Sequence, residues 1–405
     1  MLTAMRALLV AALLAASPAD RWFSHVQYLA SDRLEGRATG TRGYRLAADY
    51  VARELTAAGL ETELQQVAYV LRRTDARRSE VLVGDRRLVI GRDVVFRLRL
   101  SPDQSRRVDT HLGDADVEIV RSTAEEWAAE LSDAAFPNAV PAERALRAPE
   151  RPLTLIASPE AGPAFAPGVR IRARHAIRTR RVTAPNVIGV LRGADPSEAV
   201  VVSAHLDHLG IGPAVDSDAI YNGAMDNASG VATVIEVARE LRERGLKPRR
   251  SIVFVAVGAE EDGAYGSWYF VHHPRPAGVR IVADLNVDGA SAFYPFRSVM
   301  AVGTETLQAE VAAAAGDRVR VVPDPRPERN TVAGSDQWSF IRAGIPALLV
   351  RGTAPGPEER KLIVDIMATA YHQPGDDLSL PWKPENAPDF VRFMADLALR
   401  VANRP

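Results

Sequence analysis

The rhythm of apolar positions changes twice along the chain. From Trp22 to about Gln66 apolar residues recur at three- and four-residue spacing, with Leu46, Ala47, Tyr50, Val51, Leu55 and Ala58 on one face. That spacing predicts helix, and Gly59 is placed to stop it in the left-handed manner of a C′ residue. From residue 67 to about 185 the apolar stretches shorten and alternate: Val81–Val83, Leu88–Ile90, Val94–Phe96, Val117–Val120 and Leu153–Ile156. Gly, Asp and Pro separate them, which predicts strands and turns, with one helical piece at roughly Thr123–Leu131.

Beyond Pro185 the apolar runs lose their alternation. Val200–Ser203, Ile252–Val257, Ile281–Ala283 with Leu285, and Ala347–Val350 read as strands buried on both faces. Between the first two, Gly230–Leu241 places Val231, Val234, Ile235, Ala238 and Leu241 on one face and charge on the other. The expected fold class is α/β: a mixed, mostly parallel central sheet with helices on both faces, plus a smaller β-rich inserted subdomain.

At the N-terminus, Arg6 precedes the apolar run Ala7–Ala16, with small residues at Ala16, Ser17 and Ala19. This pattern predicts a cleavable signal peptide over residues 1–19 and a secreted or periplasmic protein. The run is too short to span a bilayer, so no stable membrane anchor is expected.

Composition narrows the chemistry. The 50 basic and 51 acidic side chains nearly cancel, which argues against a nucleic-acid partner. Charge is unevenly spread, because residues 67–185 hold 21 arginines against 16 acidic residues and the remainder is net negative. The absence of cysteine excludes disulfides, thiolate nucleophiles and Cys-ligated metal. Any metal must be held by His, Asp and Glu.

Metal-competent side chains follow the apolar runs. They lie in Ser203-Ala204-His205-Leu206-Asp207-His208, Met225-Asp226-Asn227, Glu260-Glu261-Asp262, Asn286-Val287-Asp288 and Tyr371-His372 with Asp376. Ligand sites of open α/β sheets lie at the carboxyl ends of strands. His205 with Asp207 at i, i+2 suits a metal ligand and the carboxylate that orients it. Asp226 equally suits the N-cap of the helix beginning near Ala228, and Glu260–Asp262 equally suits a solvated acidic turn.

In order, spacing and flanks these segments resemble the co-catalytic zinc aminopeptidases of metallopeptidase family twenty-eight, the bacterial leucyl-aminopeptidase type. The resemblance also takes in Leu29–Arg37, Gly40–Gly43, Gly334–Asp336 and Ala343–Ala347. It implies two zinc ions per chain. His205 and Asp288 would hold one, Glu261 and His372 the other, and Asp226 would bridge both. Glu260 would be the general base, Asp207 and Asp376 the carboxylates behind the ligand histidines, and Tyr371 a stabiliser of the tetrahedral intermediate. The implied activity is hydrolysis of N-terminal residues from peptides with a free N-terminus, through a hydroxide bridged by the two metals.

On this reading residues 20–66 and 186–405 form a discontinuous peptidase domain, and 67–185 an insert like the protease-associated domains of relatives. Gln337 departs from the histidine that many relatives carry there, which bears on the pocket wall. The alternatives on the same fold are a one-zinc glutaminyl-cyclase-like acyltransferase, a glutamate-type carboxypeptidase, and a receptor-like binding protein that has lost its metals.

Overall fold

The computed structural model describes residues 16–96, 117–124, 127, 134–136, 138–142, 153–166, 168–289, 292–324, 327 and 330–405. Nearly all of the signal-like run and most of the helical piece expected at Thr123–Leu131 lie outside the described residues. The chain forms two compact units, one of residues up to Val67 with Ala184–Pro405, the other Ala68–Thr183.

The first unit opens with helix α1 (Pro18–Leu29), whose N-cap Ser17 accepts a hydrogen bond from Asp20 N. A tight turn at Asp32–Arg37 leads to α2 (Arg42–Ala57), capped by Thr41. Gly59, at φ 84°, ends α2 as expected, and it is the helical pattern read beyond it to Gln66 that fails. Glu61–Thr74 is strand β1, with Gln65, Val67, Tyr69 and Leu71 buried at alternate positions. A period of two beyond the glycine overrides the helical spacing before it.

The other strands of this unit are β2 (Ile177–Leu191), β3 (Asp195–His205), β4 (Gly210–Val215), β5 (Asp218–Tyr221), β6 (Arg250–Val257), β7 (Arg280–Asn286), β8 (Ser298–Gly303), β9 (Arg320–Val322) and β10 (Ala347–Gly352). β4 and β5 form a separate hairpin. The rest make one sheet in the order β9-β8-β10-β7-β3-β6-β2-β1. Its centre is parallel, with β3 between β6 and β7 and β7 beside β10. β2 runs antiparallel to β6, and β8 antiparallel to β10. The sheet is therefore mixed and parallel in its middle, and the predicted strands of the C-terminal half fall on its central members.

Helices cover both faces. α3 (Ser229–Glu243) packs on β3 and β6 together with α1, α2 and α8 (Ala387–Ala402). Facing the other side are α4 (Tyr265–His272) and α6 (Gln337–Arg342), separated in sequence by α5 (Gln308–Ala315). Phe270 of α4 and Phe340 of α6 pack against Ala199, Val201, Val253, Val255 and Ala347. Val200 and Val202, on the alternate positions of β3, are fully buried on the opposite face. This double burial explains the unalternated runs. A further helix, α7 (Pro357–Thr369), precedes Tyr371 and His372.

The second unit is β-rich. One small sheet joins Arg86–Leu88, Glu80–Val83 and Ile171–Arg174; another joins Val94–Phe96, Leu153–Ala157 and Val117–Arg121. Val81, Val83, Leu88, Phe96, Ile119 and Leu155 share its core. The expected strand Leu88–Ile90 stops at Leu88, and Ile90 keeps only an isolated bridge to Val94. His175 packs flat on Phe96 and bonds Thr74, so it is structural, whereas His111 lies outside the described residues. Among the described residues no helix is long and apolar enough to cross a membrane.

Candidate metal centre

The parallel strands deliver their carboxyl ends to one place. His205 is the last residue of β3, paired with Val257 at the end of β6, and Ser203 pairs with Asn286 at the end of β7. Glu260 and Glu261 follow β6 by three and four positions, past Ala259 in a left-handed conformation (φ 56°), and Asp288 follows β7 by two. Asp226 lies in the turn Ala224–Ala228 that leads into α3. His372, also left-handed (φ 57°), follows α7.

Asp226 sits between two imidazoles. Its Oδ1 is 3.1 Å from His205 Nε2, and its Oδ2 is 3.2 Å from His372 Nε2. His205 Nε2 is also 3.5 Å from Asp288 Oδ1, and His372 Nε2 is 3.4 Å from Glu261 Oε2. Two donor sets therefore share the Asp226 carboxylate: His205 with Asp288, and His372 with Glu261. His372 Nε2 is buried and makes no well-aligned hydrogen bond despite these neighbours. Donors about 2.0–2.1 Å from a tetrahedral zinc lie roughly 3.3–3.4 Å apart, so these separations fit donors around zinc.

Charge supports the same fit. Asp207, Asp226, Glu261, Asp336 and Asp376 are all buried, with Glu260 and Asp288 beside them. Such a density of carboxylates is costly unless cations compensate it. Burial opposes charge on both imidazoles, but the surrounding carboxylates hold His205 and His372 well above the ordinary histidine range. Burial and Glu261 work against the Asp226 anion, and the two imidazoles outweigh them and hold it below its ordinary range. Glu260 goes the other way. Burial, then the charges of Asp336, Glu261 and Asp288, raise it well above the carboxylate range against the pull of His205. A raised carboxylate is suited to taking and returning a proton.

The supporting carboxylates sit differently from the sequence expectation. His205 Nδ1 donates to the main-chain carbonyl of Asp207 (3.1 Å), which leaves Nε2 free for a metal. The Asp207 carboxylate instead accepts from the main-chain N–H groups of Glu260 (3.1 Å) and Glu261 (3.3 Å), and burial pushes it up to about 7. Asp376 likewise does not lie behind His372. Its oxygens accept from the N–H of Met225 (2.7 Å) and Asp226 (3.0 Å), and burial pushes it up to about 6. Both carboxylates thus hold the main chain at Glu260–Glu261 and Met225–Asp226 rather than rings.

Asp226 is not the helix cap. Asn227 accepts the Gly230 N–H (3.0 Å) and also ties in Gly289 N and Val287 O, fixing the loop that carries Asp288. Gln337 is not a pocket wall. It is fully buried, accepts from Asn286 Nδ2 (2.9 Å) and donates to the carbonyls of Thr331 and Val332. The Tyr371 ring is part-exposed and stacked on His372, with centroids 4.0 Å apart.

Two residues were missed. Arg351 Nε donates to the Asp288 carbonyl (2.6 Å), and its Nη2 lies 3.8 Å from Asp288 Oδ2. His208 is buried, and its Nδ1 donates to Glu261 Oε1 (2.8 Å), leaving Oε2 toward His372. Its ring packs so close to Gly223 that a Cβ there would come within 2.5 Å of it. The available signal was its place three residues after His205. His208→Phe keeps an aromatic side chain here and removes the donor, so zinc affinity should fall about 10–100-fold. Competition with a chromophoric chelator measures this, and an unchanged affinity would deny His208 any part in holding Glu261.

Residues 186–396 match the family described as Peptidase family M28. A probable zinc metalloprotease of Pyricularia oryzae is 40% identical over 104 residues, 25% of this chain and 20% of that protein. The chain spans about a fifth of the length of the curated relatives it matches. Among solved structures, an aminopeptidase from Aneurinibacillus sp. strain AM-1 superposes with a TM-score of 0.61 at 17% identity, over 96% of this chain and 94% of that one. A zinc aminopeptidase from Bacillus subtilis gives 0.59 at 17% identity, over 95% of each. At these identities the likeness is one of fold.

Proposed function

Because this chain belongs to peptidase family M28, we propose that it is a zinc-dependent aminopeptidase that removes N-terminal residues from peptides. The observation that carries this reading is the Asp226 carboxylate held between His205 and His372, with Asp288 and Glu261 completing two donor sets. Two zinc ions are the cofactors this arrangement suits. When bound, they would supply electrophilic charge and lower the pKa of an attacking water.

The protein's own groups do the rest. Glu260 takes a proton from the water as its oxygen bonds the scissile carbonyl carbon. The Tyr371 phenol donates to the developing oxyanion. As the carbon–nitrogen bond breaks, Glu260 returns the proton to the leaving amine. Asp207 holds the main chain of Glu260 and Glu261, so base and ligand keep a fixed relation. The signal-like residues 1–19 support export, and we take residues 67–185 as an insert outside this chemistry, since every assigned group lies beyond it.

Aminoacyl chromogenic amides, assayed beside an N-blocked peptide with a free C-terminus, test the reading. The amides should be cleaved, activity should vanish on chelation, and zinc should restore it. Cleavage of the blocked peptide from its C-terminus would favour the carboxypeptidase alternative. One zinc per chain with acyl transfer would favour the cyclase-like one. Full activity in a verified metal-free preparation would end the metal reading altogether.

A further inference from the structure

The segment Asp32–Arg37 contributes neither a donor to the centre nor a group to the proposed chemistry, yet it is built with unusual constraint. Glu35, Gly36 and Arg37 all have left-handed backbone, at φ 50°, 66° and 52°. A Cβ at Gly36 would lie 2.3 Å from the Tyr221 carbonyl oxygen and 2.6 Å from that of Gly210, so only glycine fits. The turn drives the Arg37 side chain inward until it is 1% exposed.

An arginine this deeply buried usually meets a carboxylate. Among the described residues Arg37 makes no ion pair, and every hydrogen bond of its guanidinium goes to a main-chain carbonyl. Nε donates to Leu206 (2.9 Å), Nη1 to Leu29 and Asn222 (both 2.5 Å), and Nη2 to Gly223 (2.9 Å). Leu206 lies between His205 and Asp207, and Asn222 and Gly223 open the turn that carries Asp226. Asn222 reinforces the link, since its Nδ2 donates to Ala30 O and Asp32 Oδ1, both at 2.9 Å. Burial lowers the guanidinium to about 10, against the field of Asp376, Asp207, Asp226 and Glu261, so it stays charged at neutral pH.

We propose that Arg37 is the positioning residue of the metal centre. Its planar fork bonds the loop of His205 and the loop of Asp226 at once, and so presets the 3.1 Å approach of those two donors before any metal arrives. It touches neither metal nor substrate. Its contribution is to metal affinity, because without the fork the protein must order the two loops when it binds. The inference rests on the metal-centre reading, which the zinc content of the unaltered protein tests separately.

The clamp and a bare charge effect have opposite signs. As a buried cation Arg37 repels an incoming dication, so charge alone predicts that Arg37→Met binds zinc more tightly and Arg37→Lys binds it as before. The clamp predicts that both bind about 10–100-fold more weakly, because neither side chain can span four carbonyls. Chelator competition gives the affinity, and thermal melting with and without zinc gives the stability of each form. A merely structural role would lower both melting temperatures equally and leave the zinc Kd unchanged. Wild-type affinity in Arg37→Lys, or tighter binding in Arg37→Met, overturns the proposal. Should both variants fail to fold, Asn222→Ala removes only the reinforcing bonds and should still weaken zinc binding severalfold. An unchanged Kd in that variant also overturns the proposal.

Discussion

Glu260→Gln should keep its zinc and lose its rate, with kcat falling roughly 10²–10⁴-fold and KM little changed. Its neighbour should behave in the opposite way. Glu261 Oε1 is bonded by His208 and Oε2 faces His372, so Glu261→Gln exchanges an anionic donor for a neutral amide within a donor set. Its metal binding should weaken, and activity should recover in part as free zinc is raised. Glu260→Gln should show no such recovery, because what it lacks is the proton acceptor.

The separation follows from local geometry. Ala259 turns the chain into a left-handed residue at the end of β6, and Asp207 then fixes both following N–H groups. Two carboxylates on adjacent residues are thereby sent to different duties by one buried neighbour. Glu260 is raised by burial and by Asp336, whereas Glu261 is held low by His372 and His208 against its own burial. Pairs whose environments push them apart in this way divide acid–base work from ligation. Zinc stoichiometry and zinc-dependent rates for both variants decide the matter. Metal loss in Glu260→Gln with metal retained in Glu261→Gln would reverse the assignment.

The central sheet was legible because strands buried on both faces must be apolar throughout, as Ile252–Val257 and Ala347–Val350 are. The candidate donors His205, Glu261 and Asp288 were legible because each ends or follows such a strand, Asp226 because it precedes α3; His372, after α7, stood out by the resemblance alone. What stayed hidden were relations that depend on direction rather than order. Nothing in His205-Leu206-Asp207-His208 says that the Asp207 carbonyl, not its carboxylate, meets the His205 ring. Nor does it say that His208 turns toward a glutamate some fifty residues on. Arg37 is the extreme case, since its four acceptors are main-chain carbonyls that carry no side-chain signature. Leu60–Gln66 was misread for a different reason: helical and strand periods overlap over so short a stretch, and only burial of Gln65, Val67 and Tyr69 separates them.

Asp226→Asn should be the most damaging single change, with neither metal retained at stoichiometric zinc and hydrolysis at the detection limit. Each outer residue belongs to one donor set, but the Asp226 oxygens belong to both, 3.1 Å from His205 and 3.2 Å from His372. An amide keeps the shape and still offers one oxygen. It removes the anion from both sets, and its NH2 presents hydrogens to whichever imidazole it faces. Asp288→Asn supplies the control, because of the two imidazoles Asp288 approaches His205 alone, at 3.5 Å. Since Asp288 has no contact with His372 or Glu261, that variant should lose affinity at one site and keep the other. Equilibrium dialysis would then read close to none for Asp226→Asn and close to one zinc for Asp288→Asn, and the melting-temperature rise on adding zinc should disappear only in the former. If Asp226→Asn still binds two zincs and hydrolyses aminoacyl amides at near wild-type rate, Asp226 is no bridge, and the two donor sets must be independent.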